Sequence, residues 1–413
     1  MSSRIAVIGA GLAGLRCAEL LCDAGFDAHV YERENRVGGR MATDSIDGFL
    51  VDHGFHVMQT AYPTSKRTFD FTQLGAKAFE PGAIVVQQRS SKPKFWRLAD
   101  PFRRPFQGVA SGLNRFASPF DLLRVARLRF SAGKGAIETV YDGGNDSTSA
   151  YLSKRGFSSS MVDRFFHPLF SGIFLEDELK TNERMFRFVF RMMSKGDMVL
   201  PRNGIQAAPE SVAQRIGYGR IHLSSKVEVR DDNTLLINGK EHSFAAVVHA
   251  YTTSPAENDR HVWTLHFDAQ HSPLGSNHIL LNGDVKLKKQ LIAHVAVPSD
   301  IQPSYAPEGR SLVTVTVVGS NADSLGFSTR DDVLSQVQTE LASWFGEQSS
   351  EWRCLAVQHI RHALPEPLDD LGDTPSLGTD RFECGDHMMH GSAEGALLSA
   401  EHTAQAVIQS LRQ

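Results

Sequence analysis

The spacing of apolar residues changes repeatedly along the chain, and each change predicts a different element. Residues 4–8 (RIAVI) are a short, mainly apolar run of the length a buried parallel strand needs. The period then lengthens to that of a helix, with Leu15, Ala18, Leu21 and Cys22 on one face and Gly25 at its end. AHVYE (28–32) returns to a strand and closes on Glu32. Strand, helix and strand at these lengths make one βαβ unit.

Residues 96–200 have a different character. SPFDLLRVARLRF (118–130) predicts a helix capped by Ser118, with Pro119 at its first position. VDRFFHPLFSGIF and RMFRFVFRMM continue a helical region rich in phenylalanine and arginine. From residue 221 to 250 the pattern turns to strands (IHLSSKVEVR, TLLING, FAAVVHA), with a turn at Asp231-Asp232-Asn233. HVWTLHF, HILLNG, LIAHVAV and SLVTVTVVG follow, alternating as an antiparallel sheet does. A helix over 331–345 puts Val333, Val337, Leu341 and Trp344 on one face. Residues 381–413 end on strand, turn and helix.

These pieces predict an α/β protein with a discontinuous Rossmann-like nucleotide domain (1–75, 201–255 and 370–413). An α+β domain of mixed sheet and helices (76–200 and 256–369) is threaded through it. A length of 413 residues suits two domains rather than one core. The 43 basic and 47 acidic residues leave a net charge of −4, which argues against a nucleic-acid partner. Cys17, Cys22, Cys354 and Cys384 form no CxxC pair, so reduced thiols and a cytoplasmic setting are expected, without zinc. No apolar run reaches the roughly 18 residues a membrane span needs. The glycine spacing within RIAVIGAGLAGL argues for strand and turn rather than a signal peptide.

The glycines carry the chemistry. In GAGLAG (9–14), Gly9 permits a tight turn, Gly11 lets backbone approach a pyrophosphate, and Gly14 allows close helix–strand packing. Leu12 and Ala13 then open a helix whose N-terminal amides favour an anion. Glu32 stands 18 residues after Gly14 at a strand end, where a carboxylate accepts from ribose hydroxyls. Beyond it, Arg33 and then RVGGR bring Gly38 and Gly39 between Arg36 and Arg40, a second phosphate-compatible turn. The alternative is a solvated basic loop.

With GAGLAG, Glu32 and RVGGR together, the chain resembles the flavin-dependent superfamily of amine oxidases, protoporphyrinogen oxidases and phytoene-type desaturases. FLVDHGFHV (49–57) is similar to the segment that follows in that family, which implies that Gly54, Phe55 and His56 lie near the flavin or substrate channel. KVEVR resembles the strand whose Val227 backbone meets the adenine. CGDHMMHGSAEGALLSAEH resembles the C-terminal flavin segment. It implies Gly385 and Asp386 at the ribityl and pyrophosphate, and Gly395 and Ala396 at the pyrimidine edge of the ring. A helix N-terminus aimed there stabilises reduced-flavin charge by about 1–2 kcal/mol. HPLFSGIFLEDELKTN, PSYAPEGRSLVTVTVVG and RHALPEP lean toward the desaturases.

The implied cofactor is FAD, held non-covalently, because Cys384 lacks the pattern around a flavin-linked cysteine. The implied reaction removes hydride from a C–H bond, α to nitrogen or allylic, to flavin N5, with oxygen or a quinone as final acceptor. His56 is the candidate catalytic residue beside the ring. The substrate is expected to be a small apolar molecule or an amine. Two rivals stay open: a flavin-dependent isomerase or dehydroxylase of a polyisoprenoid, and a non-catalytic flavin-binding regulator. His387 and His390 lack further ligands at metal spacing and are expected at the flavin edge or exposed. His53 and His56 are packing residues or flavin neighbours, and His167 a core or loop residue. The helix at 118–130 either shows Arg124, Arg127 and Arg129 to water, or lays Leu122, Leu123 and Phe130 on a membrane surface.

Overall fold

The computed structural model describes residues 4–89, 92–99, 103, 118–133, 135, 144–230, 233–252, 259–366, 376–378 and 380–412. The expected turn residues Asp231 and Asp232 and the proposed domain boundaries near 255 and 370 fall outside them.

Two large sheets organise the chain. The first has six strands in the order β10 (Ile221–His222), β2 (Asp27–Tyr31), β1 (Arg4–Ile8), β14 (Ala246–His249), β21 (Arg381–Glu383) and β20 (Ser376–Gly378). All pairs but the last are parallel. The inner strands are therefore buried on both faces, and Ile5, Ala6 and Val7 have no exposed surface. Helix α1 (Leu12–Asp23) packs on one face and a small meander on the other: β11 (Val227–Val229), β12 (Thr234–Ile237) and β13 (Lys240–Ser243). IHLSSKVEVR is thus two strands in two sheets, because Ser224 takes a left-handed turn (φ 51°) between them.

The second sheet has seven strands: β19 (Arg353–Leu364), β15 (Arg260–Ala269), β18 (Ser311–Val318), β17 (Ile292–Ala296), β16 (Ile279–Asn282), β7 (Gly82–Arg89) and β8 (Lys92–Ala99). The four segments read from alternation pair antiparallel, but β16 also pairs in parallel with β7, so the sheet is mixed. The β7–β8 hairpin gives little alternation in sequence because its outer strand carries Lys92, Lys94 and Arg97, which keep the edge soluble. A hairpin of β3 (Thr43–Ile46) and β4 (Phe49–Asp52) and a short sheet of β5 (Met58–Gln59), β9 (Met198–Leu200) and β6 (Lys77–Ala78) link the two halves.

Helix α2 (Pro63–Thr68) precedes α3 (Pro119–Ala132), which starts as its sequence predicts: Ser118 Oγ accepts from the Asp121 amide at 3.0 Å. Leu123 and Phe130 are exposed and Leu122 partly buried, and Arg127 is exposed as well. Arg124 reaches Asp121, and Arg129 donates to the Ser194 carbonyl. α4 (His167–Phe174) and α5 (Glu183–Lys195) bury a phenylalanine cluster against one face of the second sheet. α6 (Arg330–Phe345) covers the opposite face with the four residues its spacing predicts. α7 (Ala393–Arg412) closes the chain and lies against α1, where Arg16 Nη2 meets Glu401 Oε1 at 3.2 Å.

The α1–sheet contact is close enough to test. A Cβ at Gly14 would sit 2.1 Å from the Gly9 carbonyl oxygen and 2.8 Å from Ala250 Cβ. Gly14→Ala, although it favours the helix, is expected to cost about 1–3 kcal/mol through overpacking, read as a lower midpoint in urea unfolding.

Candidate active site

The first glycine turn has a packed side and an open one. Gly9 and Gly14 are closed in by backbone, but a Cβ at Gly11 would meet nothing within 4 Å. Gly11 is also the N-cap of α1 and supplies no side-chain cap, so the first-turn amides of Leu12, Ala13 and Gly14 face an anion-ready end. The second turn locks onto the first: Gly38 donates to the Ala10 carbonyl at 2.8 Å, and Gly39 lies beside Gly11 Cα. Glu32 is buried, its two oxygens accepting from the amides of Ala10 (2.7 Å) and Glu34 (2.9 Å). Each oxygen keeps a lone pair for a hydroxyl. The Ser225 amide donates to the Glu32 carbonyl at 2.7 Å, which brings Val227 to the same corner.

The C-terminal segment arrives alongside. β21 pairs with β14, and the Cys384 amide donates to the His249 carbonyl. Gly385 donates to Ser399 Oγ, and a Cβ there would strike the His387 ring. Ser392 caps α7 by accepting from the Gly395 amide at 3.0 Å, and a Cβ on Gly395 would lie 2.0 Å from the His390 carbonyl. Gly395 and Ala396 therefore stand in the first turn of α7. Arg40 joins the two ends of the chain: Nη2 meets Asp386 Oδ1 at 2.5 Å and Nη1 donates to the Ala363 carbonyl. Arg40 is set deep among protein groups yet keeps 43% of its side chain accessible, as a residue lining a cleft does. Burial alone would lower its pKa, but the Asp386 carboxylate outweighs this and raises it.

Not every basic residue of the sequence motif reaches the cleft. Arg36 is held by Asp44 at 2.6 Å and by His53, and Arg33 is a surface side chain beside Glu34. His53 belongs to that same outer network rather than to the cleft. His167 is buried, its Nε2 donating to the Asp177 carbonyl, and His387 contacts Glu383 and Thr252. Among the described residues no group of three or more His, Cys, Asp or Glu is placed to hold a metal.

Gly54, Phe55 and His56 follow β4. The Gly54 amide donates to Gln358 Oε1 at 2.9 Å, and Phe55 packs between Phe79 and His294. His56 Nε2 lies 2.8 Å from the His53 carbonyl, which can only accept, so Nε2 carries the proton and Nδ1 is an acceptor. Burial, with the positive charge of Arg40 adding to it, holds His56 at about 4 and neutral near pH 7. Tyr62, Phe188 and His390 form an aromatic wall the sequence did not reveal. The first two stack at 5.5 Å with rings 3° from parallel, and Phe188 meets His390 at 5.4 Å. The phenylalanine-rich stretch was legible as helical core, but nothing in it marks which ring reaches the N-terminus of α7.

The two glycine turns and the N-termini of α1 and α7 thus meet on one side of the six-stranded sheet. The family model for flavin containing amine oxidoreductase matches residues 12–408. The chain belongs to that family. It is 25% identical to a 15-cis-phytoene desaturase of Synechococcus elongatus over 98% of this chain and 96% of that one. An oxidoreductase from Methanosarcina mazei shares the fold at TM-score 0.72 and 17% identity, over 98% and 100% of the two chains. Cyclohexylamine oxidase from Brevibacterium oxydans does so at 0.71 and 15%, over the whole of both. The protein is a flavin-dependent oxidoreductase.

The residues present fit a flavin dinucleotide. The open space at Gly11 and the uncapped amides of α1 suit the pyrophosphate, Glu32 a ribose, and the α7 turn the ring. His56 offers a separate check. In the unfolded chain it takes a proton near pH 6.5, in the fold only near 4. Its contribution to stability is therefore full above pH 6.5 and lost as pH falls toward 4. His56→Phe should flatten unfolding free energy against pH over that window by about 1 kcal/mol per pH unit, measured by urea titration.

Proposed function

We propose that the protein binds FAD non-covalently and oxidises an uncharged, largely apolar substrate at a C–H bond, with oxygen or a quinone as the final acceptor. The observation that carries the reading is the Arg40–Asp386 contact, which brings the two glycine turns to one cleft. We divide the chain into a cofactor part (1–75, 201–255, 370–413) and a substrate part (76–200, 256–369), a reading the strand membership of the two sheets supports. The six-stranded sheet draws on the first set and the seven-stranded sheet on the second. When bound, the flavin supplies the hydride acceptor.

The protein's own residues hold and orient. The amides of Leu12 and Ala13 take the pyrophosphate, and Arg40, already neutralised by Asp386, shapes its approach without adding net charge. His56 keeps its proton on Nε2 and offers Nδ1 as a hydrogen-bond acceptor beside the reacting carbon. Tyr62 and Phe188 exclude water. A hydrogen bond with Cys17 and burial hold the Cys384 thiol protonated, which supports a cofactor without a covalent link.

Charge favours an uncharged substrate over an alkylammonium ion. Among the described residues around the cleft, Asp386 is held by Arg40, and Glu394 by the amides of Thr64 and Ser65. Asp52 is held by Thr43, Tyr305 and the Ile205 amide. Asp386 is thus charge-paired, and Glu394 and Asp52 direct both their oxygens at protein amides and hydroxyls. None of the three is turned to hydrogen-bond a buried ammonium group, and burying a cation without a direct partner is costly. The test is the visible spectrum of purified protein, then acid precipitation and anaerobic titration. FAD released to the supernatant, with bleaching by isoprenoid substrates but not by primary amines, is the expected result. Flavin that stays with the precipitate, or bleaching by amines alone, contradicts the reading.

A further inference from the structure

The cross-strand register of the seven-stranded sheet lines up one row of side chains that changes chemistry halfway. Residues directly opposite one another in paired strands share a face. Trp96, Val85 and Leu281 are successive partners across β8, β7 and β16, and all three lie in the phenylalanine-rich cluster under α4 and α5. The row continues through His294 on β17, Thr316 on β18, Thr264 on β15 and Gln358 on β19. This half is polar, and it is just as buried: Thr264 is 0%, Thr316 2% and His294 4% exposed. On the opposite face the neighbouring positions are Leu265, Val315 and Val317, packed under α6.

A buried polar row is costly unless its hydrogen bonds are made. Gln358 makes one, to the Gly54 amide. The hydroxyls of Thr264 and Thr316 and both ring nitrogens of His294 have no hydrogen-bond partner among the described residues. Valine would fill the threonine positions without that cost, as it does on the other face. The unpartnered groups lie on the face of the sheet that carries α4 and, at His294, the Phe55 ring. Phe55, which precedes His56, covers His294 with ring centroids 5.4 Å apart and keeps some accessible surface. Beyond Phe55, His294 abuts Gly172 of α4, where a Cβ would come within 2.3 Å of the imidazole. That glycine leaves room for the imidazole in the face of the sheet.

We propose that Thr264, Thr316 and His294 form a specificity subsite for an uncharged hydrogen-bonding group, a hydroxyl or carbonyl, on the otherwise apolar substrate, reached by displacement of the Phe55 ring. The inference rests on the function proposed above and narrows its substrate class: an oxygenated molecule rather than a pure hydrocarbon. The apolar half of the row takes the hydrocarbon part and the polar half its oxygen. Burial holds His294 at about 4, so near neutral pH it presents one donor and one acceptor rather than a charge.

The test is ligand-induced thermal shift, with 1-octanol and 2-octanone compared with n-octane, on wild type, the double variant Thr264→Val/Thr316→Val, and His294→Phe. Wild type should respond to the alcohol and ketone at concentrations about tenfold or more below the alkane. The double variant should lose that preference while its own midpoint holds or rises, because it sheds hydroxyls without partners. His294→Phe should weaken the preference too. Equal responses in wild type, a preference that survives the double variant, or a fall of several degrees in the double variant's own midpoint would each overturn the proposal. Thermal shift reads binding whether or not flavin is present. A colourless protein that still discriminates would therefore defeat the redox reading and leave this one standing.

Discussion

Everything in this structure that bears on chemistry depends on bringing residues near position 10 and residues near position 390 into one place. The sheet does most of this. β1 lies at the centre, β14 beside it and β21 beside that, so the first and last parts of the chain become neighbours with one strand between them. α1 and α7 then pack together, and Arg40 meets Asp386 across 346 residues of sequence. The direct attraction of an ion pair in a cleft is less screened than on the open surface, while desolvation of the buried partner offsets part of the gain. Losing Arg40 would leave the buried Asp386 carboxylate charged and poorly solvated at the point where a dinucleotide is expected to lie.

The sequence made the nucleotide half legible for a physical reason: backbone demands there are unusual and few residue types meet them. Gly14 cannot carry a Cβ without striking the Gly9 carbonyl, and Gly11 faces open space, so a spacing rule stands in for a geometry. The helix at 330–345 was equally readable because its apolar stripe meets one sheet face. What could not be read was partnership. Arg36 and Arg40 flank the same glycines, yet Asp44 and His53 take the first and only the second enters the cleft. Nor could periodicity reveal that His294, Thr316 and Thr264 fall into register, since each lies on a different strand whose neighbours are fixed only by the fold.

The second sheet explains how one scaffold serves two unlike tasks. Its α6 face is an ordinary core of valine, leucine and tryptophan. Its other face is apolar beneath the phenylalanine cluster and turns polar at His294, where α4 and the Gly54–His56 segment meet the sheet. Stability is supplied by the apolar positions, and hydrogen-bonding capacity is held in the buried polar row that ends at Gln358 beside Gly54. Histidine suits that position because burial keeps it uncharged: His56 and His294 both titrate at about 4, so neither carries a charge that an apolar ligand would have to desolvate.

The central claim is that both ends of the chain grip a single cofactor, and amide hydrogen exchange on flavin-stripped protein tests it most directly. Added FAD should slow exchange in residues 10–14 and in residues 385–396 together, with the same dependence on FAD concentration. Protection confined to one of the two segments, or appearing at two separate FAD concentrations, would contradict the account.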